Sequence, residues 1–235
     1  MRTVTTEQDI PFQNVTQKQI YYELILPKYR DHPYETEWVT HFKTPIEWKK
    51  VWESVHNPLS TEQTKSTIWE QIHLNYYTTY SYNKWHKKQD QCPLCESPPQ
   101  NKFHNILTCP TVTQIWHQLE PHLLQIHPSP VTEEEKAFGL VGKTPNIILR
   151  NWMTYILRET ILEQESIAYH NKKGKTNEND IKIKYNEKIR TQIWQHYNIA
   201  KNLGRIDFIK NNFAVNNYLI TWEEEQWQVL TIFKI

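Results

Sequence analysis

Proline and glycine are spread so unevenly along this chain that they limit its fold before any motif is considered. All 13 prolines lie at or before Pro145, and the four glycines, Gly139, Gly142, Gly174 and Gly204, leave the first 138 residues with none. The last ninety residues are therefore free to form long helices, while the first part must consist of short helices joined by punctuated loops. A loop that cradles phosphate needs glycine for close backbone approach. This chain has neither a P-loop nor a dinucleotide-binding fingerprint.

Helix signals fill in that outline. Thr44-Pro45-Ile46-Glu47 reads as an N-cap, a proline at N1 and a capping-box glutamate. The segment it opens carries Ile46, Trp48, Val51, Trp52 and Val55 mostly on one face. Ser60 with Gln63 opens a second helix bearing Ile68, Trp69 and Ile72. Pro110 begins a strongly periodic one, in which Val112, Ile115, Trp116, Leu119, Leu123 and Ile126 follow the i, i+3, i+4, i+7 rule. Thr132 with Glu135 caps a short helix ending near Gly139. Two long helices are expected over 146–170 and 178–203, separated by the polar stretch HNKKGKTNEND. The final WEEEQWQVLTIFKI fits a strand as well as a helix. The Trp-rich helices read as core packing, with a base-stacking platform as the alternative.

A mean hydropathy of −0.76 is low, yet 10 Trp, 13 Tyr and 7 Phe are too many large apolar side chains for a disordered polymer. No stretch approaches the roughly 20 apolar residues of a membrane span, and the N-terminus has no apolar run of the signal-peptide kind, so an intracellular protein with no membrane partner is expected. A net charge of +1 means that any nucleic-acid binding must use local basic patches rather than the field of the whole molecule.

The cysteines supply the sharpest signal. All three fall between residues 92 and 109, spaced Cys92-x2-Cys95-x8-His104-x4-Cys109. An odd, clustered set argues against a secreted disulfide framework. Three thiolates and an imidazole suit tetrahedral zinc, and a closed Cys3His shell leaves no open position for substrate, so one structural Zn2+ is expected. His104 and Cys109 would face inward from a short helix that Pro110 interrupts. Two other readings are three buried free thiols beside a surface histidine, and a dithiol redox pair. The first leaves the ligand spacing unexplained, and the second lacks the usual strand-to-helix junction. The expected fold class is mostly α, a multi-helix domain with a small Cys3His zinc knuckle inserted between helices. Its expected divisions are an N-terminal arm with one helix (1–40), a helical zinc-binding domain (41–140) and a C-terminal long-helix region (141–235).

The flanks extend the pattern. Trp69 and His73 form W-x3-H ahead of a segment ending at Trp85. Cys92-Pro93-Leu94-Cys95 follows, then His104-Asn105-Ile106-Leu107-Thr108-Cys109-Pro110, then a helix carrying Ile115-Trp116. In order and spacing, residues 40–125 resemble the CCHC zinc-binding region C-terminal to the reverse transcriptase of LINE-type (non-LTR) retrotransposons. TQKQIYYELI, residues 16–25, also resembles the helix that follows the polymerase thumb there. Where that family often carries E-T-x-x-H, this chain has Asn101-Lys102-Phe103 before His104. The resemblance implies a module that binds template RNA or target DNA, beside an upstream polymerase portion and on nuclear DNA. Polymerase catalysis needs carboxylates holding two metal ions. Only five Asp occur here and no two are adjacent, so a C-terminal piece or a degenerate or domesticated copy, without enzyme activity, is expected. The restriction-like nuclease of some such elements would need a Pro-Asp, which is absent. Asp207 with Lys210 is the nearest candidate, and Glu223 to Glu225 reads as a solvated turn or helix start.

Local positive charge falls in three places. Lys84-Trp85-His86-Lys87-Lys88 abuts the knuckle and interleaves an aromatic with cations, as backbone tracking plus stacking requires. Lys172, Lys173 and Lys175 surround Gly174, and Lys182, Lys184, Lys188 and Arg190 follow. Lys84, Trp85, Lys87, Lys88, Lys172, Lys173 and Lys175 are the expected nucleic-acid contacts. The expected function is a non-catalytic zinc- and nucleic-acid-binding module. The competing expectation is a helical protein-interaction module in which zinc only clips the fold.

Overall fold

The computed structural model describes residues 33–235 except 77, 88–89, 100, 171–175, 224–225 and 234–235. The chain divides into two compact units, Met1–Ile46 and Glu47–Ile235. The helix expected at 16–25 lies outside the described residues. In the first unit α1 spans Pro33–Phe42, where an i, i+4 pair stacks the rings of Trp38 and Phe42 at 5.7 Å.

The second unit is mostly helical. Helix α2 (Trp48–Val55) starts later than Thr44-Pro45 suggests: Glu47 is its N-cap and makes no side-chain capping bond. Helix α3 (Glu62–Ile72) is capped by Thr61, one residue past Ser60, through a bond from the Thr64 amide. Thr78 opens α4 (Thr79–His86) in the same way. Pro110 begins α5 (Pro110–Ile126), and all six residues of its expected apolar stripe are buried. The Thr132 hydroxyl accepts from the Glu135 amide to cap α6 (Glu133–Phe138), and Gly139 ends it at φ +78°. There a Cβ would come within 2.5 Å of the Tyr155 hydroxyl, so both conformation and space select glycine.

Two long helices follow, α7 (Pro145–His170) and α8 (Glu178–Asn202), the latter opened by a capping box between Asn177 and Asp180. Their bounds lie within a residue of those expected. Helix α9 (Ile206–Phe213) packs on both. The ambiguous C-terminal segment forms an antiparallel hairpin of β1 (Ile220–Glu223) and β2 (Gln226–Val229), with Ile220 opposite Val229.

Helix α7 is the spine of the unit, packing against α3, α5, α8 and α9. For this reason the boundary expected at 140/141 falls inside the second unit. Arg150 on α7 makes a buried two-pronged ion pair with Glu135 of α6, both bonds 2.6 Å, and also donates to carbonyls at the end of α5. Trp116 and Trp152 are fully buried, whereas Trp69 is 47 % and Trp85 64 % exposed. Among the described residues no helix is long and apolar enough to cross a membrane.

Candidate metal centre

The knuckle is built by local backbone bonds. Between Cys92 and Cys95 the chain turns sharply, with the Glu96 amide donating to the Cys92 carbonyl (2.8 Å) and the Cys92 amide to the Ser97 carbonyl (2.9 Å). The loop is anchored from both sides. Thr111 at the start of α5 donates its hydroxyl to the Leu94 carbonyl, and the Thr176 amide just before α8 donates to the Pro93 carbonyl.

The other two donors come from one π-helical turn, His104–Thr108. Its closing bond runs from the Cys109 amide to the His104 carbonyl, five residues back. A π turn stacks residues i and i+5, which an α-helix with its 3.6-residue period does not. The five-residue separation of His104 and Cys109 therefore becomes a shared direction. The Trp116 indole donates to the Ile106 carbonyl and fixes this turn to α5.

Cys92 and Cys109 are fully buried, His104 is buried and Cys95 partly exposed. The four donor atoms lie within 4.8 Å of one another, and the Cys95 Sγ is 3.4 Å from the His104 Nε2. Tetrahedral bonds of about 2.3 Å to sulfur and 2.0–2.1 Å to nitrogen put ligand atoms roughly 3.5–3.8 Å apart. The widest pair needs to contract by only about 1 Å to meet that spacing. The three cysteines are free thiols. A hydrogen bond with Cys109, then burial, pushes the Cys92 thiol well above its ordinary range, and burial pushes Cys95 up. A cation placed among the sulfurs reverses this logic, since it takes the thiolates directly and releases their protons. Among the described residues this is the one group of three or more His, Cys, Asp or Glu side chains that can hold a metal ion.

Behind the knuckle lies a buried polar network that the sequence reading did not anticipate. Asn105, between His104 and the rest of the turn, donates to Glu165 of α7 at 2.7 Å and accepts from the Tyr76 hydroxyl at 3.2 Å. The other Glu165 oxygen accepts from the Thr79 amide and hydroxyl, which ties in α4. Burial raises the pKa of Glu165. The sequence held one signal for this network: an asparagine enclosed in an apolar turn needs polar partners.

The expected nucleic-acid contacts divide into two groups. Lys84, Trp85 and Lys87 are exposed together at the C-terminal end of α4, with Lys87 in the left-handed conformation that ends the helix. Two bonds between Asn83 and the Asp90 backbone hold this end beside the knuckle. Lys88, Lys172, Lys173 and Lys175 lie outside the described residues. The third basic cluster is largely neutralised: Lys182 pairs with Glu178, Lys184 with Glu187, and Lys188 bridges Glu159 and Glu163. Of that cluster Arg190 alone makes no ion pair among the described residues. Asp207 and Lys210 are both exposed on α9.

Fold and site together define a multi-helix domain with a Cys3His cluster able to hold a metal ion. The chain matches no protein-family model, no curated protein and no solved structure.

Proposed function

We propose that residues 47–235 form a zinc-stabilised, non-catalytic module that binds nucleic acid, of the kind that follows the polymerase in LINE-type retrotransposon proteins. One observation carries the reading: an exposed Lys84-Trp85-Lys87 tip is held by Asn83 and Asp90 beside a closed Cys3His donor set. Three thiolates and an imidazole favour zinc over the hard cations, which prefer oxygen. When bound, zinc supplies a four-way cross-link and no open position for substrate. Cys92, Cys95, His104 and Cys109 would hold it. Lys84 and Lys87 would neutralise phosphates while Trp85 offers a ring to a base. RNA or DNA, an adjoining polymerase portion and a nuclear location belong to this reading.

Electrophoretic mobility shift across a salt series tests it. The variant Lys84→Ala/Lys87→Ala/Lys88→Ala should bind RNA or DNA more weakly, with the log-affinity slope against log salt shallower by about 0.7–0.9 per lysine removed. Unchanged affinity and slope would remove the patch from the interface. The competing reading, a protein-interaction module clipped by metal, is favoured by the net charge of +1 and by a groove of about 760 Å³ between α3, α7 and α8. That groove carries Glu70, Glu159, Glu163 and Glu187. Salt-steep binding to generic nucleic acid counts against it.

A further inference from the structure

A second surface, on α8 and away from the cysteine cluster, has a composition that core packing does not explain. Arg190, Trp194, Tyr197 and Lys201 stand at i, i+4, i+7 and i+11, one stripe along a helix face. Trp194 is 62 % exposed, although α8 buries a full stripe on its other face through Ile181, Tyr185, Ile189 and Ile193. A buried-core role for this tryptophan is therefore excluded. Its ring sits 5.6 Å from that of Tyr197, and the Lys201 ammonium lies 5.9 Å from the Tyr197 ring centre. The hairpin closes the stripe on one side, leaving a notch of about 410 Å³ lined by Arg190, Ile193, Trp194, Tyr197 and Val229. The Arg190 guanidinium is positioned there by a bond to the Thr231 hydroxyl.

The chemistry of this notch selects its occupant. Flat aromatic walls accept a flat ring, and the volume falls in the lower part of the range for small-ligand sites. Arg190 lines the notch, Lys201 stands one turn beyond Tyr197 on the same stripe, and among the described residues no carboxylate lines it. On the same helix face Glu187, three residues before Arg190, is engaged by Lys184. A cationic or quaternary-ammonium guest would meet two cations, and an apolar partner helix would have to bury them. A duplex keeps its base faces stacked inside and offers only edges. A single strand presents bases that can be splayed onto a ring while its phosphates run past the cations. From Arg190 to Lys201 the stripe runs about 16 Å at the rise of an α-helix.

We infer that the Arg190–Trp194–Tyr197–Lys201 face of α8, closed by Val229 of the hairpin, is a stacking site for a base of single-stranded nucleic acid. This extends the nucleic-acid reading to a second surface and rests on different residues, so the two can fail separately. Fluorescence anisotropy of the full chain with short labelled oligo(U) and oligo(dT) tests it. Trp194→Ala should weaken binding about 5- to 150-fold, the range for loss of one base–aromatic stack, while Trp194→Phe keeps most of the affinity. Arg190→Ala/Lys201→Ala should flatten the salt dependence by about 0.7 per charge on a single strand. Ultraviolet cross-linking of the wild-type chain, mapped by mass spectrometry, should fall on the peptide carrying Trp194. That measurement needs no variant to fold. Binding that survives Trp194→Ala undiminished, with cross-links only near Trp85, overturns this site and leaves the patch beside the knuckle standing. No binding of either oligonucleotide by the wild-type chain overturns both. Unequal affinity for the two probes, with the Trp194 effect present in the tighter one, supports the site and assigns it to RNA or to DNA.

Discussion

Glu165 shows how far one buried carboxyl can report on the packing around the knuckle. It receives three donors, from the Thr79 amide, the Thr79 hydroxyl and the Asn105 amide group, all of which favour the carboxylate. Burial acts in the opposite direction and is the larger influence, so its pKa is raised in the folded chain. The sign of the linkage follows. A carboxyl whose pKa is higher in the folded than in the unfolded state contributes stability that is fully present below the unfolded value, about 4.3 for Glu. That contribution is lost as pH rises through the folded value. Glu165→Gln has no such titration. The stability of the wild-type chain minus that of Glu165→Gln, from denaturant melts of the metal-loaded proteins, should therefore be largest in acid, fall with rising pH and then level off. A difference that grows with pH would mean that the three hydrogen bonds outweigh burial. Nothing in the sequence exposes this residue. Glu165 sits in a helix with a polar neighbour on either side, and its partner Asn105 is 60 positions away.

At the scale of elements, what could be read from sequence was what closes over a few residues. Thr132 capping Glu135, Pro110 opening an apolar stripe and the long helices with no proline past their first residue all appear where those local rules put them. The start of α2 was misread because Thr44-Pro45-Ile46-Glu47 has capping-box chemistry, yet the chain enters the helix only at Trp48. The four donors of the candidate metal site were legible because all lie within one short window. The π turn that aims two of them was not, because a five-residue separation names no helix type. The turn yields a sharp prediction. Thr108 is exposed, so its side chain does little in the interior. Inserting one alanine after Thr108 sets His104 and Cys109 six apart, a separation that faces together in neither an α nor a π turn, and rotates one ligand out of register. Zinc affinity, measured by competition with a chromogenic chelator, should fall by more than about 100-fold, beyond the usual effect of disturbing a ligand's supporting contacts. Thr108→Ala, which keeps the spacing, should bind as the wild-type chain does. Equal affinity for the insertion variant and the wild type would show that the turn does not set the ligand geometry.

For the whole molecule, the position of the knuckle in the core decides how metal loss is felt. Cys92, Leu94 and Cys109 belong to the same buried cluster as Trp152 and Ile156 of α7, Tyr185 of α8, Phe213 of α9 and Phe233 after the hairpin. A cross-link seated at the rim of a domain would loosen its own loop and leave the rest intact. Here the loop is also tied to both long helices, through Thr176 ahead of α8 and through Asn105 to Glu165 on α7. The unit Glu47–Ile235 should therefore lose stability as one body when metal is removed. At a thousandfold excess of metal over its Kd, binding contributes about 4 kcal/mol. In a domain of this size that corresponds to roughly 8–16 °C in Tm. Calorimetry should show a single transition moving down by that amount with a strong chelator and returning with one equivalent of zinc. Hydrogen exchange should quicken in α7 and α8 as well as over residues 92–109. Two separate transitions, with only the lower one sensitive to the chelator, would instead place the knuckle outside the cooperative core. The stacking face of α8 would then be insulated from the metal, and oligonucleotide binding at Trp194 would survive chelation unchanged.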